Sequence, residues 1–278
     1  MFSFSAQFDI PRLLHVSHDI RCKKPRGTIV LLHGIGNAGA SWEEVIAKLP
    51  KDRRIISLDL LGFGESPKPS RASYNVRIQA RSVAATLARL RVRTKVVLVG
   101  HSMGALIAIE LAKRYPWVVK GLVLCSPPIY QTTQERDDKL LAAEHILTKL
   151  YKATANDATE KPDRYIQLAK LAKKTKLTSS AFQVDASTIT PYITALRASI
   201  LTQTAWQDIT QLQIPIHLIY SEFDPFIVNK HMKTLAQQPH ITAHKVLGLH
   251  EVTKVYITPI CRAVVAIYES QQSKRTVA

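Results

Sequence analysis

The sequence predicts an α/β fold: a mostly parallel sheet flanked by helices, interrupted once by a helical insertion. Three observations carry this prediction. Continuous apolar runs of strand length recur through residues 1–130 and again through residues 209–278. Stretches with helical apolar spacing alternate with those runs, and residues 131–208 show no strong buried strand. Strands that are apolar throughout, rather than alternating, are covered on both faces, as in a parallel sheet under helices.

The elements follow in order. Thr28-Ile-Val-Leu-Leu-His33 reads as a buried strand ended by Gly34. Arg54-Ile-Ile-Ser-Leu-Asp59 is a second, followed by the glycine turn Leu61-Gly-Phe-Gly64. From Tyr74 to Arg91, Val76, Ala80, Val83, Ala84, Leu87 and Leu90 recur at helical spacing, leaving Arg77, Arg81 and Arg89 for the wet face. Lys95–Gly100 is a third strand, and Met103–Tyr115 a helix stopped by Pro116. Lys120–Cys125 is a fourth strand, ended by Pro127-Pro128. The following segment is rich in Lys, Ala, Thr and Leu, with helical stretches around Lys139–Lys152 and Arg164–Lys174. Strands resume at Pro215–Tyr220 and Ile241–Leu247, and a final helix near Pro259–Ser270 precedes a polar tail. The expected organisation is one core domain, 1–130 with 209–278, carrying the insertion 131–208; insertions of that length usually serve function.

A chain of 278 residues, 46% hydrophobic and 21% charged, is globular rather than disordered. No apolar run is long enough to span a bilayer, and the first ten residues lack the signal-peptide pattern, so a cytoplasmic protein is expected. Cys22, Cys125 and Cys261 are odd in number and far apart, which argues against a disulfide framework and a metal site. The net charge is +17, and residues 1–130 carry most of the excess, with 20 Lys and Arg against 8 Asp and Glu. Patches such as Arg21–Arg26, Lys51–Arg54 and Arg89–Lys95 favour weak contact with anionic surfaces. They carry no interleaved aromatics and match no nucleic-acid module, so no nucleic-acid partner is expected.

Gly100-His-Ser-Met-Gly104 matches G-x-S-x-G and lies between a strand and a helix, the context that gives the motif meaning. The glycines permit a sharp turn that lifts Ser102 out of the sheet. The Met103 amide, at the helix start, then points at a developing oxyanion. A serine hydroxyl needs a base to become a nucleophile at neutral pH. In this arrangement the acid and then the histidine follow the serine in the chain. Asp224, in Ser221-Glu-Phe-Asp-Pro225, and His250 both follow strands. Glu222 is the alternative acid; Asp224 is preferred because the Asp-Pro step fixes a turn. Among the histidines, His217 and His244 lie within strand runs, His240 precedes the last strand, and His101 should face away from its neighbour Ser102. His33-Gly-Ile-Gly36 is a glycine-bracketed loop that can turn the Ile35 amide toward the serine as a second oxyanion donor. Its His33 ring reads as a structural hydrogen-bonding group.

These residues resemble the α/β-hydrolase superfamily, in its capped, cofactor-free branch of carboxylesterases, monoacylglycerol lipases and C–C bond hydrolases. The resemblance rests on His33-Gly-Ile-Gly36 with Ser41-Trp42, Asp59-Leu-Leu-Gly-Phe-Gly-Glu-Ser66, Gly100–Gly104, Glu222–Pro225 and Gly248-Leu-His250. It implies a triad of Ser102, Asp224 and His250, a cap at 131–208 that shapes the substrate pocket, and Trp42 and Phe63 at the entrance. No metal or organic cofactor is implied. Serine at 102 disfavours the dehalogenases and epoxide hydrolases of this fold, which carry aspartate there. Many relatives place glycine directly before the catalytic histidine; here Leu249 stands there. The resulting expectation is a carboxylesterase acting on small to medium acyl esters and water. The alternatives are a C–C hydrolase of diketo acids, which needs a cationic group in its pocket, and a ligand-binding protein on the same scaffold.

Overall fold

A computed structural model describes residues 9–131, 141–175 and 178–270. The start of the stretch read as helical from Lys139, and the polar tail, lie outside the described residues. Among those described, seven strands form one sheet in the order β1-β3-β2-β4-β5-β6-β7. They are β1 (Val16–Ile20), β2 (Thr28–Leu32), β3 (Arg54–Leu58), β4 (Val96–His101), β5 (Val119–Cys125), β6 (Ile216–Tyr220) and β7 (Ile241–Lys245). All neighbouring pairs are parallel except β1 with β3. The fold class read from the sequence is the one observed. β2, β3 and β4 are buried at every position, which is why they read as unbroken apolar runs.

The sequence reading lacked β1. Its Val-Ser-His-Asp-Ile is half-buried and polar at the centre, so no apolar run announces it. It is held at the sheet edge by its ladder to β3 and by Arg54, whose Nε and Nη2 donate to Asp19 at 2.7 and 2.9 Å. The Arg54 guanidinium holds the Asp19 carboxyl down to about 2.

The helices are α1 (Glu43–Ile46), α2 (Val76–Arg89), α3 (Met103–Arg114), α4 (Leu141–Glu160), α5 (Pro162–Lys174), α6 (Ile189–Ala195), α7 (Ala205–Gln211), α8 (Asn229–Leu235) and α9 (Lys254–Glu269). Asn75 caps α2 by accepting the Ile78 N–H at 2.9 Å. Pro162, in the first turn of α5, separates that helix from α4. The strand pleat divides the core in two. Val30 and Leu32 face the core with α2 and α3, while Ile29 and Leu31 face the core with α1 and α9. α4 to α7 lie between β5 and β6 in the chain, and no strand interrupts them among the described residues. No described helix is long and apolar enough to cross a membrane.

Two buried histidines close β2 and β4. His33 Nδ1 donates to the Gly34 carbonyl at 2.7 Å and Nε2 accepts the Leu60 N–H at 2.9 Å, which defines a neutral ring. Burial lowers His33 to about 4. His101 Nε2 donates to the His250 carbonyl at 2.8 Å, and burial, with His250 beside it, lowers His101 to about 3. Both folded values lie below the unfolded value of about 6.5, so their contribution is present above pH 6.5 and lost as pH falls toward 4. These two rings together should lower the urea-unfolding stability at pH 5 by about 3 kcal/mol relative to pH 7. H101N should remove about half of that drop; an undiminished drop in H101N would refute the neutral, buried state of this ring.

Candidate active site

The strand-to-helix turn between β4 and α3 holds Ser102 at φ 51° and ψ −119°, a backbone conformation that costs a non-glycine residue about 1–3 kcal/mol. The surroundings dictate it. The Ser102 N–H donates to the Cys125 carbonyl at the end of β5, at 3.0 Å. A Cβ on Gly104 would stand 2.2 Å from the Leu32 carbonyl oxygen, and one on Gly100 would stand 2.5 Å from the Gly104 oxygen. The first turn of α3 therefore lies in direct backbone contact with the end of β2, and only glycine fits at both positions.

Loops after β6 and β7 bring two further side chains to this turn. His250 Nε2 is 2.9 Å from Ser102 Oγ, and His250 Nδ1 is 2.8 and 3.0 Å from the two Asp224 oxygens. An ionised carboxylate only accepts, so Nδ1 carries the proton and Nε2 presents its lone pair to the serine hydroxyl. Asp224 is buried, and its Oδ1 also accepts the Phe226 N–H at 2.9 Å. Burial pushes this carboxyl up, but hydrogen bonds from His250, Phe226 and Ser126 outweigh it and hold Asp224 below its ordinary value. Ser126 Oγ in turn lies 2.9 Å from the Tyr256 hydroxyl, which donates to the Leu249 carbonyl at 3.0 Å. Leu249, the departure noted in the sequence, points its side chain to solvent while its backbone is tied down by that bond.

A cavity of about 400 Å³ opens over Ser102 and His250. Tyr151, Tyr165 and Tyr192, from α4, α5 and α6, and Phe182 and Phe226 supply its aromatic walls. Ile35, Asn37 and Glu251 line it beside the serine. Burial pushes the Glu251 carboxyl above its ordinary value; His250 and the Asn37 amide pull it back, and Asp224 adds to the rise. None of the tyrosines, nor Asn37 or Glu251, was singled out in the sequence. The tyrosines are spread through a segment with no motif, whereas Glu251 adjoins His250 and Asn37 adjoins the Gly34–Gly36 loop, the one signal available for either.

Several sequence expectations need correction. Trp42 does not reach the cavity: it is 1% exposed and packs on the opposite sheet face with Ile29, Leu31 and Tyr256. The short helical turn Gly39–Trp42 rotates it inward, under α9. Phe63 is also 1% exposed and packs edge-on to His33, with ring centroids 6.0 Å apart. Its turn is folded inward by Gly62 and Gly64, both at positive φ. His101 does not face away from the site: it borders the cavity, with its ring centroid 5.0 Å from that of His250. Glu222 faces outward and pairs with Lys245 at 2.9 Å and Lys233 at 3.3 Å. The Met103 side chain is buried in the core, and its amide is the first of α3, without a helical acceptor. No cluster of three or more His, Cys, Asp or Glu is placed to hold a metal ion among the described residues.

Comparison with known proteins bears on the whole frame. The chain is similar to a probable lysophospholipase, BODYGUARD 2 of Arabidopsis thaliana, with 33% identity over 115 residues, 39% of this chain and 24% of that protein. It is 41% identical over 98 residues to an uncharacterized protein of Mycobacterium tuberculosis, covering 35% of this chain and 28% of the relative. These matches span about a quarter of the relatives' length. An esterase structure from Exiguobacterium antarcticum superposes with a TM-score of 0.73 at 16% identity, over 92% of this chain and 95% of the esterase, a likeness of fold. The sequence profile of the α/β hydrolase fold matches residues 27–251, from the start of β2 through the His250 loop, and the chain belongs to that family.

Proposed function

We propose that this protein is a serine hydrolase that transfers the acyl group of a small to medium carboxylic ester to water. The observation that carries the reading is the unbroken hydrogen-bonded line from Ser102 Oγ through the His250 ring to Asp224. Ser102 attacks the carbonyl carbon while His250 Nε2 takes its proton, and Asp224 holds the imidazole and stabilises its charged form. The Ile35 and Met103 amides stabilise the oxyanion. His250 then protonates the departing alcohol and activates the water that releases the acid. Residues 131–208 form the cap, and its helices supply the aromatic wall that sizes the acyl pocket.

Two features weigh against the alternatives. No Lys or Arg lines the cavity among the described residues, so a diketo acid substrate of a C–C hydrolase would lack its cationic partner. A pure binding protein has no use for a strained serine aligned with a histidine and a buried carboxylate.

The test is hydrolysis of p-nitrophenyl esters from acetate to long acyl chains. Turnover should peak at short to medium chains, and S102A should reduce kcat by about 10⁴-fold or more. D224N should cost on the order of 10³–10⁴-fold with little change in KM, because the imidazole loses its tautomer rather than its place. Turnover that survives S102A would refute the serine mechanism. A second assay follows labelling by a fluorophosphonate, which the wild-type protein should accept and S102A should not; an unlabelled wild-type protein would refute a nucleophilic Ser102.

A further inference from the structure

Among the described residues, the cavity wall carries one carboxyl group, and the proposed chemistry does not use it. Glu251 lies on its wall, partly buried, immediately after His250. Asn37 lies on the same wall, and its amide side chain favours the charged form of this carboxyl. Asn37 is held in place from behind by the Ser179 hydroxyl, which donates to Asn37 Oδ1 and so leaves the Asn37 NH₂ for Glu251. The same cavity is lined by Tyr165 and Tyr192, with ring centroids 5.6 Å apart and hydroxyls 3.0 Å apart. Burial above all holds the proton on the Tyr192 hydroxyl, with Tyr165 and Tyr151 next and a small addition from the charge of Glu251.

This grouping has a definite preference. A partly buried carboxylate without a cationic partner is costly, and no Lys or Arg pairs with Glu251 among the described residues. An entering cation relieves that cost, and aromatic rings on the same cavity wall add to its attraction. An entering carboxylate meets Glu251, with no Lys or Arg on the described cavity wall to offset the repulsion. The basic excess of the chain lies elsewhere: +17 overall, with no Lys or Arg on the cavity wall among the described residues.

We propose that Glu251 and Asn37, with the rings of Tyr165 and Tyr192, form a subsite for an ammonium group of the substrate, so that the cavity selects ammonium-bearing esters over carboxylate-bearing ones. The assignment rests on the serine hydrolase reading for the ester itself, but the subsite is testable without turnover. The probes are three methyl ketones of matched length ending in trimethylammonium, tert-butyl or carboxylate, titrated calorimetrically into S102A protein. The ammonium ketone should bind roughly tenfold tighter than the tert-butyl isostere, and the carboxylate weakest. In S102A/E251Q, which keeps an acceptor for Asn37 and removes the charge, the ammonium preference should vanish. Equal binding of the ammonium and tert-butyl ketones to S102A overturns the subsite, whether or not the second variant folds; so does a preference that survives E251Q. Ranked ketone binding by a protein that turns over no ester would refute the hydrolase reading and leave the subsite standing. Ester turnover with unranked ketones would do the reverse.

Discussion

The close approach of α3 to the end of β2 is the constraint on which the rest of this molecule depends. With no side chain on Gly104, the first turn of α3 rests against the Leu32 and His33 carbonyls. That contact leaves the intervening residue one way to connect strand to helix, with positive φ at Ser102. The local strain, about 1–3 kcal/mol, is small beside what it is anchored to. Every residue of α3 from Met103 to Ala112 is buried, and a single large apolar side chain contributes about 1.5–3 kcal/mol when removed from water. A tense backbone persists here because a stiff, buried frame surrounds it.

Three histidines gather beside Ser102, His33 and His101 at the ends of the neighbouring strands β2 and β4 and His250 in the loop after β7, and their surroundings give them different work. His33 and His101 are buried, neutral, and committed to backbone partners. His250 is partly exposed and has one nitrogen on a carboxylate and the other on a hydroxyl. His101 ties the backbone of the His250 loop to β4, so the outer ring is positioned by the inner one. The carboxyls divide similarly. Asp224 is held below its ordinary value by the donors around it, while Glu251, with a single amide donor and burial against it, is held above.

The central sheet was legible in the sequence because burial on both faces leaves few polar residues to blur its strands. β1 was hidden for the opposite reason, since an edge strand with His18 and Asp19 at its centre reads like a loop. The short helices α1 and α8 escaped because they are too brief for a period to emerge. Ser102, Asp224 and His250 were identifiable because strand ends, chain order and residue chemistry are all written locally. Trp42 and Phe63 were misplaced because the direction of a side chain leaving a loop depends on backbone turns that no spacing rule encodes. The aromatic wall was invisible for a related reason: Tyr151, Tyr165 and Tyr192 converge only after α4, α5 and α6 have folded over the sheet.

β5 and β6 are hydrogen-bonded neighbours, with Leu122 beside Ile216 and Cys125 beside Ile219, although some ninety residues of chain separate them. Whatever joins them departs from and returns to one fixed seam. Lengthening such an excursion costs only a logarithmic entropy of closure, and the ladder on either side is indifferent to it. The segment that supplies the three tyrosines of the cavity wall is thus a module on a permanent chassis. Rewriting that excursion would reshape the cavity wall and leave Ser102, Asp224 and His250 in register.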